Sequence, residues 1–331
     1  MPMGTTLARL AVTGAISAAV LSAQGSSRSC WLRDVANPGG SVVHALCEQG
    51  PIWSTADAGT KWQRHETGAT ERLRGIAFVD ATRGFVIGNR GTLLATEDGG
   101  QKWTPRKLDT TEHLMDISFV GESGWIVGYQ GVILHTQDGG RTWEKQNSKT
   151  KQTLETVSFS DANRGWVVGW SGTILRTSDG GKTWDTVRCD AAQWSLTSIY
   201  FKDNQNGWLV GFAGQILRTK DGGTTWQLQN SPVKAWLTNV TFDAQNRGWI
   251  TYDDGLLLSE DAGETWKDVP AGGRYFLGRL QRVNNALWAV GQSVILRQTD
   301  GVKWVRIESL APNATGTAPG TAPAPGGSTV R

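Results

Sequence analysis

The chain has 331 residues, a formal net charge of +3, 42 glycines and 17 tryptophans. So small a charge on so long a chain excludes general electrostatic attraction to nucleic acid or to an anionic membrane as the basis of function. Length alone would allow two average domains. Glycine permits turns and tryptophan fills space between layers, so their abundance indicates a turn-rich, layered architecture.

The N-terminus carries one charge, Arg9, followed by a mildly apolar run from Leu10 to Ala23. This layout is typical of a secretory signal peptide, and the run is too short for a comfortable transmembrane helix. We therefore expect residues 1–23 to be a signal peptide and residues 24–29 a short linker. An N-terminal anchor that is not cleaved is the alternative.

Three cysteines follow. Cys30 lies after Ser-Arg-Ser and well past the apolar run, so we expect no lipid attachment there. Cys30 and Cys47 fall on neighbouring predicted strands, and in an oxidising compartment they are expected to form a disulfide. Three unpaired thiols are the alternative, and Cys189 has no predicted partner.

One motif, with an aspartate, glycine and tryptophan, recurs seven times with a period of about 40 residues. The copies are STADAGTKW, ATEDGGQKW, HTQDGGRTW, TSDGGKTW, RTKDGGTTW, LSEDAGETW and QTDGVKW. Their aspartates are Asp57, Asp98, Asp138, Asp179, Asp221, Asp261 and Asp300. A repeat that runs through nearly the whole chain favours one closed array over two domains.

Each repeat contains four short segments, of which the first alternates apolar and polar residues, as a strand does. Four-stranded antiparallel units at this period are typical of propeller blades. We therefore predict an all-β protein, a seven-bladed β-propeller over residues 30–308. Blade 1 runs from about Cys30 to His65, and the innermost strands of the later blades begin near Leu73, Leu114, Leu154, Leu196, Leu237 and Leu277.

In the copy TSDGGKTW, each residue type has a role in a turn between the third and fourth strands. Gly180 and Gly181 supply positive φ values, and Asp179 accepts hydrogen bonds from backbone amides of the turn. Trp184 is expected to fold back between sheets. Because the motif stands at the same edge of every blade, we interpret its aspartates as structural; an ion-binding loop is the alternative.

The motif S/T-x-D-x-G-x-T-W is the Asp-box, named from bacterial sialidases. The longer stretch GWVVGWSGTILRTSDGGKTW, residues 165–184, resembles the photosystem II stability/assembly factor family over about residues 30–308. The resemblance implies an exported propeller that binds membrane-protein subunits during assembly without catalysis. It implies a periplasmic or extracellular location, or the thylakoid lumen if the host is photosynthetic.

Propellers of this family carry arginines on one face, and Arg83, Arg164 and Arg247 are similar positions before Gly-Phe or Gly-Trp. The resemblance implies a partner-binding role for them. Blades 3 and 5 depart from the pattern, with Ser123 and Asn206. A simple turn with a solvated side chain is the alternative.

The loops that lead into the innermost strands vary, as binding loops do. Those of blades 5 to 7 place aromatic side chains among basic ones, a composition typical of protein interfaces. The residues are Trp194, Lys234, Trp236, Arg274, Tyr275, Phe276 and Arg279. Stacking on a glycan and packing beneath the loops are the alternatives. We expect a monomer with a protein partner.

Kinship with sialidases raises the alternative of a glycoside hydrolase, which needs two carboxylates at a set separation. Asp116 and Glu155 are the best pair, but the Arg-Ile-Pro box of sialidases is absent. The histidines lack metal-ligand spacing, so we expect no cofactor. Because a single carboxylate pair is weak evidence for catalysis, we do not expect an enzyme. Residues 309–331, rich in Pro, Gly, Ala and Thr, cannot bury enough surface to fold.

Overall fold

A computed structural model describes residues 30–299 and 301–307. The predicted signal peptide, the linker, the Pro/Gly/Ala/Thr tail and Asp300 lie outside these residues. The described chain forms seven four-stranded sheets, and within each sheet the strands follow sequence order and pair antiparallel. The predicted seven-bladed β-propeller is confirmed.

The strands are given blade by blade. Blade 1 has β1 (Leu32–Ala36), β2 (Val43–Cys47), β3 (Ile52–Thr55) and β4 (Gln63–His65). Blade 2 has β5 (Leu73–Phe78), β6 (Gly84–Gly88), β7 (Leu93–Thr96) and β8 (Thr104–Arg106). Blade 3 has β9 (Leu114–Val120), β10 (Ser123–Gly128), β11 (Ile133–Thr136) and β12 (Glu144–Gln146). Blade 4 has β13 (Leu154–Phe159), β14 (Gly165–Gly169), β15 (Ile174–Thr177) and β16 (Asp185–Thr186).

The remaining blades repeat this order. Blade 5 has β17 (Leu196–Phe201), β18 (Gly207–Gly211), β19 (Ile216–Thr219) and β20 (Gln227–Gln229). Blade 6 has β21 (Leu237–Phe242), β22 (Gly248–Tyr252), β23 (Gly255–Ser259) and β24 (Lys267–Val269). Blade 7 has β25 (Leu277–Val283), β26 (Ala286–Gly291), β27 (Val294–Gln298) and β28 (Trp304–Arg306). In blades 2 to 5, a 3-10 turn joins the second and third strands, at Asn89–Gly91, Tyr129–Gly131, Trp170–Gly172 and Phe212–Gly214.

The first strands of successive blades contact one another, and β25 contacts β1, so the ring closes. Closure is reinforced at the start of blade 1. Trp31 forms a β-bridge with Gln292 of blade 7, and Cys30 and Cys47 are joined by a disulfide with a Cα–Cα distance of 5.7 Å. Cys189 is half-buried and is not in a disulfide. In the described part of the chain, no helix is long and apolar enough to cross a membrane.

The second strand of each blade is buried along nearly its whole length because its sheet packs between two neighbours. The contact between blades 3 and 4 is representative. There Trp125 and Val127 of β10 form one core cluster with Leu154, Val157 and Trp184 of blade 4. Interiors of this kind are close-packed, so the shape of each sheet depends on the sheets beside it.

The turn that contains TSDGGKTW has five hydrogen bonds around two side chains, and three of them recur in other blades. Thr177 Oγ1 donates to Asp179 Oδ1 over 2.8 Å and accepts from Gly181 N over 2.8 Å. Asp179 Oδ1 also accepts from Thr183 N over 2.9 Å. The donors from Thr183 and Thr177 lower the pKa of Asp179 to about 2. The same three bonds occur in blades 1, 2, 3, 5 and 6.

The same turn is also tied to the preceding blade. Trp184 is fully buried, and its Nε1 donates to Gln146 Oε1 of blade 3 over 3.1 Å. In the other direction, Trp125 Nε1 of blade 3 donates to Gly180 O over 3.1 Å. The turn therefore stabilises its own blade and the contact between two blades.

Blade 1 departs from this pattern at one buried position. His44 stands in β2 where blade 2 has Phe85 and later blades have tryptophan, and its ring stacks on Phe78 with centroids 4.9 Å apart. Both ring nitrogens are buried without a hydrogen-bond partner in the described residues. Burial, with a smaller contribution from His65, lowers the pKa of His44 from 6.5 to about 4.

Asp179→Ala removes the acceptor that organises the turn. We expect it to lower the free energy of unfolding by about 1 to 3 kcal/mol, the cost of leaving buried or turn donors unpaired. Urea denaturation measures the change. Ser178→Ala is the matched control, because Ser178 is the exposed neighbour in the same turn. Equal midpoints for the two variants would contradict the structural role of Asp179.

His44 predicts an acid-dependent loss of stability. Its pKa is lower in the folded chain than in the unfolded chain, so the unfolded chain binds the proton better. Stability from this group is complete above pH 6.5 and declines as the pH falls to about 4. The loss amounts to roughly 3 kcal/mol at most.

The variant His44→Phe, which copies Phe85, is expected to reduce this loss. Denaturation of both proteins across the interval from pH 6.5 to about 4 measures it. A variant whose stability falls as steeply as that of the wild type would show that His44 is not the group responsible.

Candidate partner-binding face

The antiparallel order of the strands gives the ring two distinct ends. At one end lie the turns between first and second strands together with the Asp-box turns; we call it the Asp-box end. At the other lie the turns between second and third strands together with the loops between blades; we call it the aromatic end. Hydrogen bonds confirm this grouping: Gly180 N donates to Asn163 O at the first end, and Trp170 N to Thr153 O at the second.

The arginines of the RG(W/F) turns lie at the Asp-box end, and two of them are engaged by carboxylates. Arg83 bonds Asp80 over 2.7 Å and reaches Glu122 of blade 3 from Nη1 over 2.9 Å. Arg247 bonds the buried Asp243 over 2.7 Å. Arg164 is half-exposed and lies 3.7 Å from Asp161. Arg83 therefore joins two blades, whereas Arg247 and Arg164 each lie beside an aspartate of their own turn.

The aromatic end exposes several large rings. Trp170, Trp194, Phe212 and Trp236 have exposed fractions of 44, 51, 49 and 44%. A continuous line of rings, which we call the aromatic row, crosses blades 5 to 7 and reaches blade 1. It consists of Trp194, Phe212, Trp236, Phe276 and Trp31, with successive centroids 6.2, 6.4, 6.4 and 5.3 Å apart. Exposed aromatic clusters of this kind mark interaction surfaces.

Backbone geometry explains why Phe212 joins rings from two different loops. Phe212 N donates to Ser195 O over 3.0 Å, beside Trp194, and Gly214 N donates to Ala235 O over 2.7 Å, beside Trp236. The 3-10 turn is thus clamped between the loop before its own blade and the loop before the next. Gly214 has φ +75°, and a Cβ there would collide with the carbonyl of Val233, so glycine is required.

A second, shorter group of rings lies on blades 3 and 4. Tyr129 occupies the 3-10 turn of blade 3 and Trp170 that of blade 4, with ring centroids 6.1 Å apart. His113 packs edge-on against Tyr129. Trp170 Nε1 donates to Glu155 Oε1 over 2.6 Å, which fixes the indole beside the channel.

The structure brings only part of the sequence-predicted site together. Trp194, Trp236 and Phe276 share the aromatic row, and Lys234 and Arg274 are exposed beside it. Tyr275 is half-buried beneath Arg306. Sequence reasoning missed Trp31, Tyr129, Trp170 and Phe212. Three of these follow the repeated Val-Gly pair in register, which was the available signal.

The mouth of the central channel is lined by one residue from each innermost strand. In every blade the pairing shifts at this residue, which marks a β-bulge. The residues are Arg33, Arg74, Met115, Glu155, Thr197, Thr238 and Gly278. Burial and the neighbouring Arg74 lower the pKa of Arg33, whereas burial raises the pKa of Glu155.

Deeper in the channel, Arg279 of blade 7 holds two carboxylates. Its Nε lies 3.2 Å from Asp34 Oδ1 of blade 1 and its Nη2 lies 3.0 Å from Asp116 Oδ1 of blade 3. Burial opposes ionisation of Arg279, but the two aspartates outweigh it and raise its pKa. Burial raises the pKa of both carboxyls, and Arg279 opposes that rise. The Arg279 side chain therefore links blade 7 to blades 1 and 3 across the channel.

Asp116 is occupied on both oxygens, because Oδ2 accepts from Val157 N over 3.0 Å. Glu155 is bonded to Trp170. Two surface cavities, of about 720 and 580 Å³, lie at the Asp-box end, and neither is lined by Asp116 or Glu155. Across residues 30–299 and 301–307, no three His, Cys, Asp or Glu side chains are grouped closely enough to hold a metal ion.

The ring of seven blades defines the chain as a β-propeller, and the exposed aromatic row is its candidate partner-binding face. The sequence matches the family model described as photosynthesis system II assembly factor YCF48, over residues 54–151, 143–229 and 186–275. The chain belongs to this family.

Two solved structures of YCF48 proteins are similar to this chain. The chain is 26% identical to a structure described as YCF48 bound to D1 peptide, covering 72% of this chain and 82% of that one, with a TM-score of 0.61. It is 23% identical to YCF48 from Cyanidioschyzon merolae, with coverage of 74% and 87% and a TM-score of 0.61.

An ancestral GH74 enzyme shares the fold, with 14% identity, coverage of 86% of this chain and 47% of that one, and a TM-score of 0.67. A comparison with curated protein sequences gave no match.

Arg279→Ala leaves Asp34 and Asp116 buried without their partner. We expect the free energy of unfolding at neutral pH to fall by about 3 to 5 kcal/mol. Arg282→Ala is the matched control, since Arg282 is exposed on the same strand, and should change stability by no more than about 0.5 kcal/mol. Equal denaturant midpoints would show that Arg279 does not tie the blades together.

Proposed function

We propose that this chain binds a protein partner and acts, without catalysis, in the assembly or stabilisation of an envelope or membrane complex. Family membership supports the role, because the family is one of assembly factors. The related structure described as bound to a D1 peptide supports a polypeptide ligand, and a membrane-protein subunit is the partner we infer for this chain.

The observation that carries the choice of surface is the contrast between the two ends. At the Asp-box end, Arg83 and Arg247 are already bonded by carboxylates of the ring. At the aromatic end, four large rings leave between 44 and 51% of their surface in water. Burying aromatic rings provides binding energy, whereas separating satisfied ion pairs does not. We therefore assign the partner to the aromatic end.

We further propose that the chain works outside the cytoplasm. The predicted signal peptide supports this location, as does the disulfide between Cys30 and Cys47. Disulfides persist in oxidising compartments and are rare in the cytosol. The periplasm and the extracellular space satisfy both observations, as does the thylakoid lumen in a photosynthetic host.

A crosslinking pull-down from the native host tests the proposal. The wild-type chain is compared with the double variant Trp194→Ser, Trp236→Ser and with the control Leu228→Ser, Val305→Ser. The control removes exposed apolar side chains from outer strands, with exposed fractions of 62 and 41%. We expect the tryptophan variant to lose the protein partner and the control to keep it.

A third variant, Arg83→Ala with Arg164→Ala, tests the opposite end of the ring. Loss of the partner here, with recovery by the tryptophan variant, would move the site to the Asp-box end. If no variant or wild-type chain recovers a protein while the wild-type chain binds a glycan array, the assembly role itself fails.

A further inference from the structure

Four of the five rings of the aromatic row are regularly spaced, whereas the step from Phe276 to Trp31 is shorter, at 5.3 Å. From Trp194 through Phe212 and Trp236 to Phe276, neighbouring ring centroids are 6.2, 6.4 and 6.4 Å apart. The rings come from three interblade loops and one 3-10 turn, so no local repeat of the backbone imposes this interval. It arises from the way the loops of successive blades are clamped together.

This interval matches the side-chain spacing of a polypeptide in the extended conformation. Alternate side chains of an extended strand stand on the same face about 6.4 to 6.8 Å apart. An α-helix instead advances by about 4.5 and 6.0 Å between side chains of one face, at three- and four-residue steps. Over four rings, a helix loses register with the row, and a strand keeps it.

The charged residues around the row indicate which side chains a bound segment would carry. Lys234 and Arg274 are exposed, and they stand two positions before Trp236 and Phe276 respectively. Acidic residues beside the apolar ones in a bound segment would therefore be attracted. Asp254 is an exposed acidic residue in the turn between β22 and β23.

A membrane surface fits this end less well than a polypeptide. The channel mouth, with Arg33, Arg74 and Glu155, opens at the same end as the row. A bilayer lying across this end would remove the exposed charges of Lys234 and Arg274 from water, which is costly without new partners. A polypeptide laid along the row contacts the rings and leaves the channel mouth hydrated.

We propose that the aromatic row is the docking site for an extended segment of the partner protein. The segment carries apolar side chains at alternate positions, which pack on Trp194, Phe212, Trp236 and Phe276, and acidic residues near its ends. This inference rests on the proposed function, in that it specifies which part of a protein partner meets the aromatic end.

The test uses the full chain and two labelled synthetic peptides of identical composition. In one, phenylalanine alternates with threonine, and a glutamate stands at each end. In the other, the same residues are reordered so that phenylalanine recurs at helical three- and four-residue intervals. Fluorescence anisotropy is expected to show binding of the alternating peptide, with the reordered peptide weaker by about tenfold or more.

Two variants locate the binding. Phe212→Ala removes the second ring of the row and is expected to weaken the alternating peptide by about tenfold. Leu228→Ala removes a more exposed apolar side chain, 62% exposed, from the outer strand β20 and is expected to change nothing. Circular dichroism and urea denaturation of both variants check that the ring is intact.

Three results would overturn the proposal: equal affinity for the two peptides, an unchanged affinity in Phe212→Ala, or stronger Phe212-dependent binding to phosphatidylcholine vesicles than to the alternating peptide. Failure of this kind is separable from failure of the proposed function. If the peptides fail while Trp194→Ser, Trp236→Ser still abolishes recovery of the partner, the row binds a protein by another geometry.

Discussion

Burial of every sheet between two neighbouring sheets is the constraint on which the rest of the molecule depends. The second strands have no face left for water, as β14 and β18 show, so no blade can bury its own apolar surface alone. The turns around Asp179 and its equivalents support this packing, because Trp125 and Trp184 connect one blade to the next through hydrogen bonds at that turn.

Closure of the ring then decides what each end has available for function. At the Asp-box end, charged groups are used internally: Arg83 joins blade 2 to Glu122 of blade 3. Inside the channel, Arg279 joins Asp34 to Asp116. At the aromatic end, Trp194, Phe212 and Trp236 stay half-exposed. The ion pairs that join blades therefore lie at the Asp-box end and in the channel, and the exposed aromatic surface lies at the other end.

The chain shares its fold with an ancestral GH74 enzyme, and the two carboxylates that the sequence suggested as a pair are both engaged by hydrogen bonds. Asp116 is bonded to Arg279 and to the backbone of blade 4, and Glu155 holds the Trp170 indole. Asp116 therefore holds Arg279 and the backbone of blade 4 in place, and Glu155 holds the Trp170 indole. A fold of this kind hosts unrelated functions, so the support for the assembly role comes from the family.

The sequence by itself determined the seven blades, the four strands of each and the start of the inner strand in blades 2 to 7, because a repeat of about 40 residues and a period of two are local properties of the chain. It also predicted Trp194 and Trp236 as candidate partner-binding residues. Only the tertiary structure separated these from Arg83 and Arg164, because the end at which a loop emerges depends on strand order. Only the closed ring brought Phe212 between Trp194 and Trp236 and brought Arg279 to Asp34 and Asp116, since these contacts join residues far apart in sequence.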